Sequence, residues 1–384
     1  MMNRRTALIA LPIVALAPLA LLPSRKSPAP ALHPVATGLA HPWGMAFLPD
    51  GSLLLTERPG RLRRVTFPDG KLGPTIAGTP AVDAEGQGGL LGIAIDPKFS
   101  INRRIYMSFS ERRDGGNATA VFRAKLNADF TRLDEGKVIF RQNQAIESEQ
   151  HFGSRLVFDR TGNLFVTTGE RGSHAMEAQN PASHLGKVLR ITAEGSPAPG
   201  NPNLPDWAPE VWSIGHRNIQ GATLHPETGE LWTIEHGAKG GDEINTPKAG
   251  RNYGWPIITF GKNYNGAKIG EGTVKAGMEQ PLHYWDPSIA PSGLTFYTGN
   301  LYANWKGSLF AGALAGSHIA RLKVTGNIVV AEEKLFDGFA RFRDIVQGPT
   351  GHLFVLTDED EPDGGLYKIL SDDELIASDK QLTQ

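Results

Sequence analysis

The chain of 384 residues carries 39 Lys and Arg against 40 Asp and Glu, a formal charge of −1. It therefore lacks the broad basic face that nucleic acid requires, and no nucleic-acid partner is expected. It has no cysteine, which excludes disulfides, iron–sulfur clusters, thiolate zinc and attached c-type haem and leaves oxygen and imidazole to hold any metal.

Residues 1–31 open with Arg4 and Arg5, continue through an apolar run from Ala7 to Leu22 broken by Pro12 and Pro18, and end in a proline-rich stretch. This pattern reads as a signal peptide or an uncleaved N-terminal anchor, and the run is short for a membrane span. The expectation is a periplasmic or secreted protein with no stable membrane span once the signal is removed.

From residue 32 to 384 a turn followed by an alternating apolar strand recurs six times. The segments are "LPDGSLLLTE" from Leu48, "IDPKFSINRRIYMSFSE" from Ile95, "FDRTGNLFVTTGE" from Phe158, "LHPETGELWTIEHG" from Leu224, "FYTGNLYANWKGSLFAGAL" from Phe296 and "QGPTGHLFVLTDE" from Gln347. Each reads as a β-hairpin, and their spacing is that of a four-stranded sheet plus loops. One such sheet cannot bury both faces, whereas six arranged radially cover one another. The prediction is all-β: a single six-bladed β-propeller. Five repeats end on an acid, Glu57, Glu111, Glu170, Glu235 and Asp358. If these ends met around the axis they would form a ring of carboxylates fit for a cation.

Between the repeats lie the polar groups. "GQGGLLG" at 86–92 does not open a helix after a strand, so a phosphate loop is not expected. His151, in "EQHFGSRLVF", begins the third repeat, and Glu170 at the far end of the same hairpin is placed to orient its ring, a pairing that suits a general base. Arg217 and Asn218 in "SIGHRNIQG" and the pair Arg341 and Arg343 in "RFRDI" also stand at blade starts, the last two on one face of an extended strand. Three guanidinium groups at one mouth imply a polyanionic ligand. "EHGAKGGDEIN" at 235–245, followed by "GRNYGWP" at 250–256, mixes acids with glycines that let carbonyls turn inward, as hard-cation sites do, without EF-hand spacing. Residues 262–280 form a polar insertion of the kind that contributes to binding.

"GQGGLLGIAIDP", "HFGSRLVF", "GHRNIQG", "GGDEIN…NYGWP" and "RFRDI…VLTDE" together, from about Val35 to Ile369, resemble the soluble pyrroloquinoline quinone (PQQ)-dependent dehydrogenases of the glucose/sorbosone dehydrogenase family, most closely the aldose sugar dehydrogenases. The resemblance implies a six-bladed propeller that oxidises aldose sugars at the anomeric carbon to lactones and passes electrons to an artificial or respiratory acceptor. It implies His151 as the base that removes the proton of the anomeric hydroxyl while hydride passes to the quinone. It implies Gln87, Arg217, Asn218, Tyr264, Arg341 and Arg343 as PQQ contacts. The carbonyls of Gly237 and Ala238 match a cofactor-bridging Ca2+ site, and Glu243 with the Tyr253 carbonyl a second, structural one. One departure stands out: Ala315 falls where the family commonly places a lysine against the cofactor. Two other readings stay open: a calcium-dependent propeller lactonase, and a non-catalytic propeller that binds sugar or protein.

Overall fold

In the computed structural model the described residues are 30–377 except 303, 360, 372 and 376. The export signal read over residues 1–31 falls almost wholly outside them. Strand β1 (Leu32–Leu39) precedes six sheets built in chain order. The first blade is β2 (Pro42–Phe47), β3 (Leu53–Glu57), β4 (Arg61–Thr66) and β5 (Lys71–Leu72). The second is β6 (Leu90–Ile95), β7 (Arg104–Arg113), β8 (Gly116–Leu126) and β9 (Leu133–Arg141). The third is β10 (Leu156–Phe158), β11 (Leu164–Thr167), β12 (Lys187–Ile191) and β13 (Val211–Ile214). The fourth is β14 (Ile219–Leu224), β15 (Leu231–Glu235), β16 (Asp242–Asn245) and β17 (His283–Trp285). The fifth is β18 (Pro291–Phe296), β19 (Leu309–Ala313), β20 (His318–Thr325) and β21 (Ile328–Leu335). The sixth is β22 (Phe342–Gln347), β23 (Leu353–Thr357) and β24 (Gly364–Ile369), and β1 completes it.

All pairings within the blades are antiparallel, and β1 closes the ring by running against β24 from Leu32↔Ile369 to Leu39↔Gly364. The first strands of the blades, β2, β6, β10, β14, β18 and β22, pack against one another in sequence, with β22 returning to β2. They surround the axis. This is the six-bladed propeller expected from the repeats, and each quoted repeat is the hairpin that joins a blade's first strand to its second. Between blades the interior is apolar: Ile93, Phe109 and Phe122 pack with Leu54 and Leu62 of the preceding blade, and Trp232 and Ile234 pack with Phe296 and Leu309 of the next. Burying both faces of every sheet in this way supplies the core that no single blade has.

The acids of the repeats occupy the second strands or the turns just beyond, not the axial ones, and they do not form a ring. Glu57 accepts the Ala40 N–H at 2.7 Å and pairs with Arg61 at 2.8 Å. Glu111 is paired with Arg141, Glu235 with His216 and Asp358 with Arg343 and His41. With Glu170 turned to His151, each carboxylate is engaged by its own neighbours, so the expected carboxylate ring is overturned. Among the described residues no three His, Asp or Glu side chains are grouped to hold a metal by themselves.

Candidate active site

The chain passes from the outer strand of one blade to the axial strand of the next on one face of the molecule, and five of the predicted site residues lie in those connections. Gln87 precedes β6, His151 precedes β10, Arg217 and Asn218 precede β14, and Arg341 lies just before β22 with Arg343 inside it. Propeller topology therefore gathers segments far apart in sequence around one axial opening.

A cavity of about 300 Å3 occupies that opening. Gln87, Arg341 and Arg343 line it, together with Arg58, Trp43, Phe152, Gln220, His236 and Leu314. Its polar lining combines guanidinium and amide groups with the Asp358 carboxylate and the His236 ring; its apolar lining includes Trp43, Leu91 and Phe152, which pack together. The Arg343 guanidinium lies 5.8 Å from the centre of the Trp43 ring and is held by Asp358, whose Oδ2 is 3.1 Å from Nε, and by the Gln220 Oε1 at 3.0 Å. Arg343 and Arg58 hold the Asp358 carboxyl well below the usual carboxylate range against the opposing effect of its burial. That keeps Asp358 ionised and Arg343 fixed.

A second, ion-sized hollow of about 10 Å3 adjoins the first through His236, which lines both. Its walls are Gly215, Arg217, Glu235, Gly237, Gly241, Glu243, Tyr253 and Trp255 among others. Glu235 and Glu243 are direct cross-strand partners, an arrangement of like charges that is unfavourable without a proton or cation between them. Burial and the Glu235 charge push the Glu243 carboxyl up. Asn245 bridges both carboxylates through Nδ2 at 3.2 Å, while its own Oδ1 is buried without a hydrogen-bond partner. Gly237 is needed here for space, since a Cβ would collide with the Gly240 carbonyl. Asp242, counted in the sequence reading as charge for a cation, has another task. Its two oxygens accept the N–H groups of Gly237, Ile289 and Ala290 and the Ser288 hydroxyl, so it staples the glycine-rich loop to the fifth blade.

His236 also has defined chemistry. Its Nε2 lies 2.7 Å from the Pro291 carbonyl; a carbonyl only accepts, so Nε2 carries the proton and Nδ1 the lone pair. Burial, with Arg217 and Arg343 nearby, pushes its pKa down to about 3, so the ring is neutral.

His151 is buried, at φ 53°, with Nδ1 3.1 Å from Glu170 Oε1. The two atoms approach closely without hydrogen-bond alignment. Gly169 makes it possible, because a Cβ there would strike the His151 carbonyl. Burial lowers the His151 pKa, Glu170 opposes that, and Arg217 and Arg171 lower it further. The same Glu170 oxygen is 3.9 Å from Arg217 Nε, a buried donor with no hydrogen-bond partner. The Arg217 guanidinium lies 5.2 Å from the Trp255 ring. His151, Glu170 and Arg217 are thus one cluster, and Gln87 ties it to the larger cavity by accepting the His151 N–H at 2.9 Å.

Two predicted residues stand differently. Asn218 spends its Oδ1 on the Gly153 N–H at 3.0 Å and supports the wall. Tyr264 is not among the residues that line either cavity: it lies at the tip of a tight turn closed by Asn263 and Ala267 and is 74% exposed. Ala315 is exposed at the rim, beside the lining residue Leu314. Arg58 and His236 escaped the sequence reading, although a signal existed. Aligning the repeats on their terminal acids puts Arg58, Arg171 and His236 at the same position, the residue after Glu57, Glu170 and Glu235.

The fold and the site together define a six-bladed propeller with a cationic axial cavity beside an ion-sized hollow and a buried imidazole. Residues 39–368 match the glucose/sorbosone dehydrogenase family, and the chain belongs to that family. It is 41% identical over 364 residues to the aldose sugar dehydrogenase YliI of Escherichia coli strain K12, covering 92% of this chain and 97% of that protein. The crystal structure of the soluble aldose sugar dehydrogenase from Escherichia coli in its apo form superposes with a TM-score of 0.85 at 39% identity, covering 89% of this chain and 100% of that one. The PQQ-bound aldose sugar dehydrogenase of Streptomyces coelicolor gives 0.74 at 29% identity, covering 90% and 99%.

Proposed function

We propose that this protein is a PQQ- and calcium-dependent dehydrogenase that oxidises aldose sugars at the anomeric carbon to lactones. The observation that carries the reading is the convergence of Arg341, Arg343 and Gln87 on a cavity whose wall continues, through His236, to Arg217 and the Glu243 hollow. The residues fit the groups. A planar tricarboxylate needs several fixed cations and an apolar surface for its rings, and the cavity offers guanidinium groups beside Trp43 and Phe152. The buried Arg217 Nε and Asn245 Oδ1 lack partners, which suits an anion at the first and a cation near the second. Gln87, Arg217, Arg341 and Arg343 would hold the quinone, with Asn218 supporting the wall. The carbonyls of Gly237 and Ala238 would hold one calcium, and Glu243 with the Tyr253 carbonyl another.

When bound, PQQ supplies a two-electron acceptor and calcium a divalent charge beside it. The protein supplies position and proton transfer. Glu170 only accepts, so it favours the proton on Nδ1 of His151 and leaves the Nε2 lone pair to take the proton of the anomeric hydroxyl. Low basicity keeps that nitrogen unprotonated near neutrality. The electrons leave to a dye or respiratory acceptor, and the N-terminal pattern supports an exported, periplasmic or secreted enzyme. Among the described residues no helix is long and apolar enough to cross a membrane.

The test is to add calcium and PQQ to purified apo-protein and follow dye reduction over a panel of aldoses. Sugar-dependent reduction that requires the quinone is the expected result. Lactone hydrolysis without quinone would establish the lactonase instead, and quinone binding with no turnover on any aldose would leave a binding protein.

A further inference from the structure

Beyond the groups that would touch cofactor or sugar, one side chain connects two parts of the site. Arg58 follows β3 on the axial face and lines the 300 Å3 cavity. Its main chain is fixed in both directions: its N–H donates to the His41 carbonyl at 3.1 Å, and its carbonyl accepts the Leu90 N–H at 2.9 Å. The guanidinium then straddles the next loop, with Nε donating to the Gly88 carbonyl at 2.9 Å and Nη2 to the Gly86 carbonyl. The residue between those glycines is Gln87. Its N–H donates to the Glu149 carbonyl at 2.7 Å, and its Oε1 accepts the His151 N–H. Arg58 is thus linked, through two carbonyls and one amide, to the main chain of His151.

That main chain needs holding. His151 sits at φ 53° and Ser154 at φ 85°, a region costly for residues other than glycine, which persists only when neighbours over-determine it. From the third blade, Arg171 grips the same loop: Nε donates to the Gln150 carbonyl at 2.8 Å, Nη1 to the Asn117 carbonyl at 2.8 Å, and the Phe152 ring lies 3.9 Å from the guanidinium carbon. The His151 loop is clamped by arginines from two directions. They differ in one respect: Arg171 is fully buried, whereas Arg58 is half-buried and borders the cavity.

We infer that Arg58 is a positioning residue with two separable duties: its forked donors set the backbone of the His151 loop through Gln87, and its charge adds to the cationic wall facing the anionic ligand. The second duty rests on the function proposed above; the first does not. A lysine keeps the charge but cannot reproduce a planar fork over two carbonyls, while a glutamine of similar reach removes the charge. The variants Arg58→Lys and Arg58→Gln therefore separate the duties, and the half-exposed position lets both fold.

The test has two arms. In the apo-protein, imidazole NMR follows His151 through pH. Both variants are expected to move its titration upward toward that of an ordinary histidine as the loop loosens, with the melting temperature little changed. In protein loaded with calcium, fluorescence titration with PQQ is expected to show Arg58→Gln binding about tenfold more weakly, equivalent to about 1.4 kcal/mol, and Arg58→Lys binding close to wild type. The sugar-dependent kcat should fall in both while KM for the aldose stays put. Wild-type His151 titration in both variants overturns the positioning duty, and unchanged PQQ affinity in Arg58→Gln overturns the electrostatic one. A proportional loss of melting temperature, affinity and kcat, unrescued by lysine, would reduce Arg58 to a structural staple. If wild-type protein binds no PQQ at all, the proposed function fails, yet the NMR arm still decides the positioning claim.

Discussion

His151 shows how much an environment can ask of one side chain. Burial and two neighbouring arginines disfavour its charged form, while Glu170 favours it, and the net shift is downward. The sign follows directly: the neutral, proton-accepting ring persists to lower pH than an ordinary imidazole of pKa about 6.5. The acid limb of kcat/KM in the reconstituted enzyme is therefore expected below that value. His151→Ala should lower kcat by at least about a hundredfold, the usual worth of a positioned base, while PQQ affinity stays within a few-fold of wild type. Loss of cofactor binding in the same proportion would contradict the role. The pair was legible in sequence because a histidine and an acid at the two ends of one hairpin must come near each other. The chain-distant contact from Arg217 to the same carboxylate was not, since nothing local ties residue 217 to residue 170.

Among the elements, the loop between β15 and β16 is the most demanding. A side chain at Gly237 would collide with the loop's own backbone, one at Gly240 with Asp286, and one at Gly241 with the backbone of Gly261, and Asp242 binds the loop to the start of the fifth blade. Composition drew attention to this loop, but burial decided the work of each acid. Asp242, with no exposed surface, is surrounded by N–H groups and serves as a structural anchor, whereas half-buried Glu243 faces the ion-sized hollow. Alternation along β16 puts these neighbours on opposite faces, and the sequence could not say which face held the hollow. Asp242→Ala should leave the donors of Gly237, Ile289 and Ser288 unpaired, while the Ala290 N–H keeps the Ser288 hydroxyl at 3.1 Å. At about 1–3 kcal/mol for each buried group, moderated by relaxation and water, a loss of several kcal/mol is expected. Denaturant unfolding measures it; a change below about 1 kcal/mol would show that the loop holds itself.

At the scale of the whole molecule, six weakly related hairpins were enough to specify the propeller, because turn-plus-strand units at blade spacing have few other ways to bury both faces. The carboxylate ring inferred from the same repeats failed for a geometric reason. Equivalent acids do lie at equivalent places, but on or just beyond second strands, where each meets a loop of its own surroundings. What converges on the axis is instead the set of connections between blades, and those vary most from repeat to repeat. Gln87, His151, Arg217 and Arg343 come from four such connections or the strands they lead into; the last three were legible from their places at blade starts, whereas Gln87 followed only from the family motifs. Tyr264 stands apart, on an insertion whose turn faces solvent.

In the proposed function the distant arginines, aided by a divalent ion, form one binding site for a tricarboxylate quinone. Calorimetric titration of PQQ into calcium-loaded apo-protein over a range of salt tests it most directly. Saturation is expected at one PQQ per chain, with affinity that falls as salt rises and drops at least about tenfold in Arg343→Ala. Absence of saturable binding, or binding indifferent both to salt and to the loss of Arg343, would contradict it.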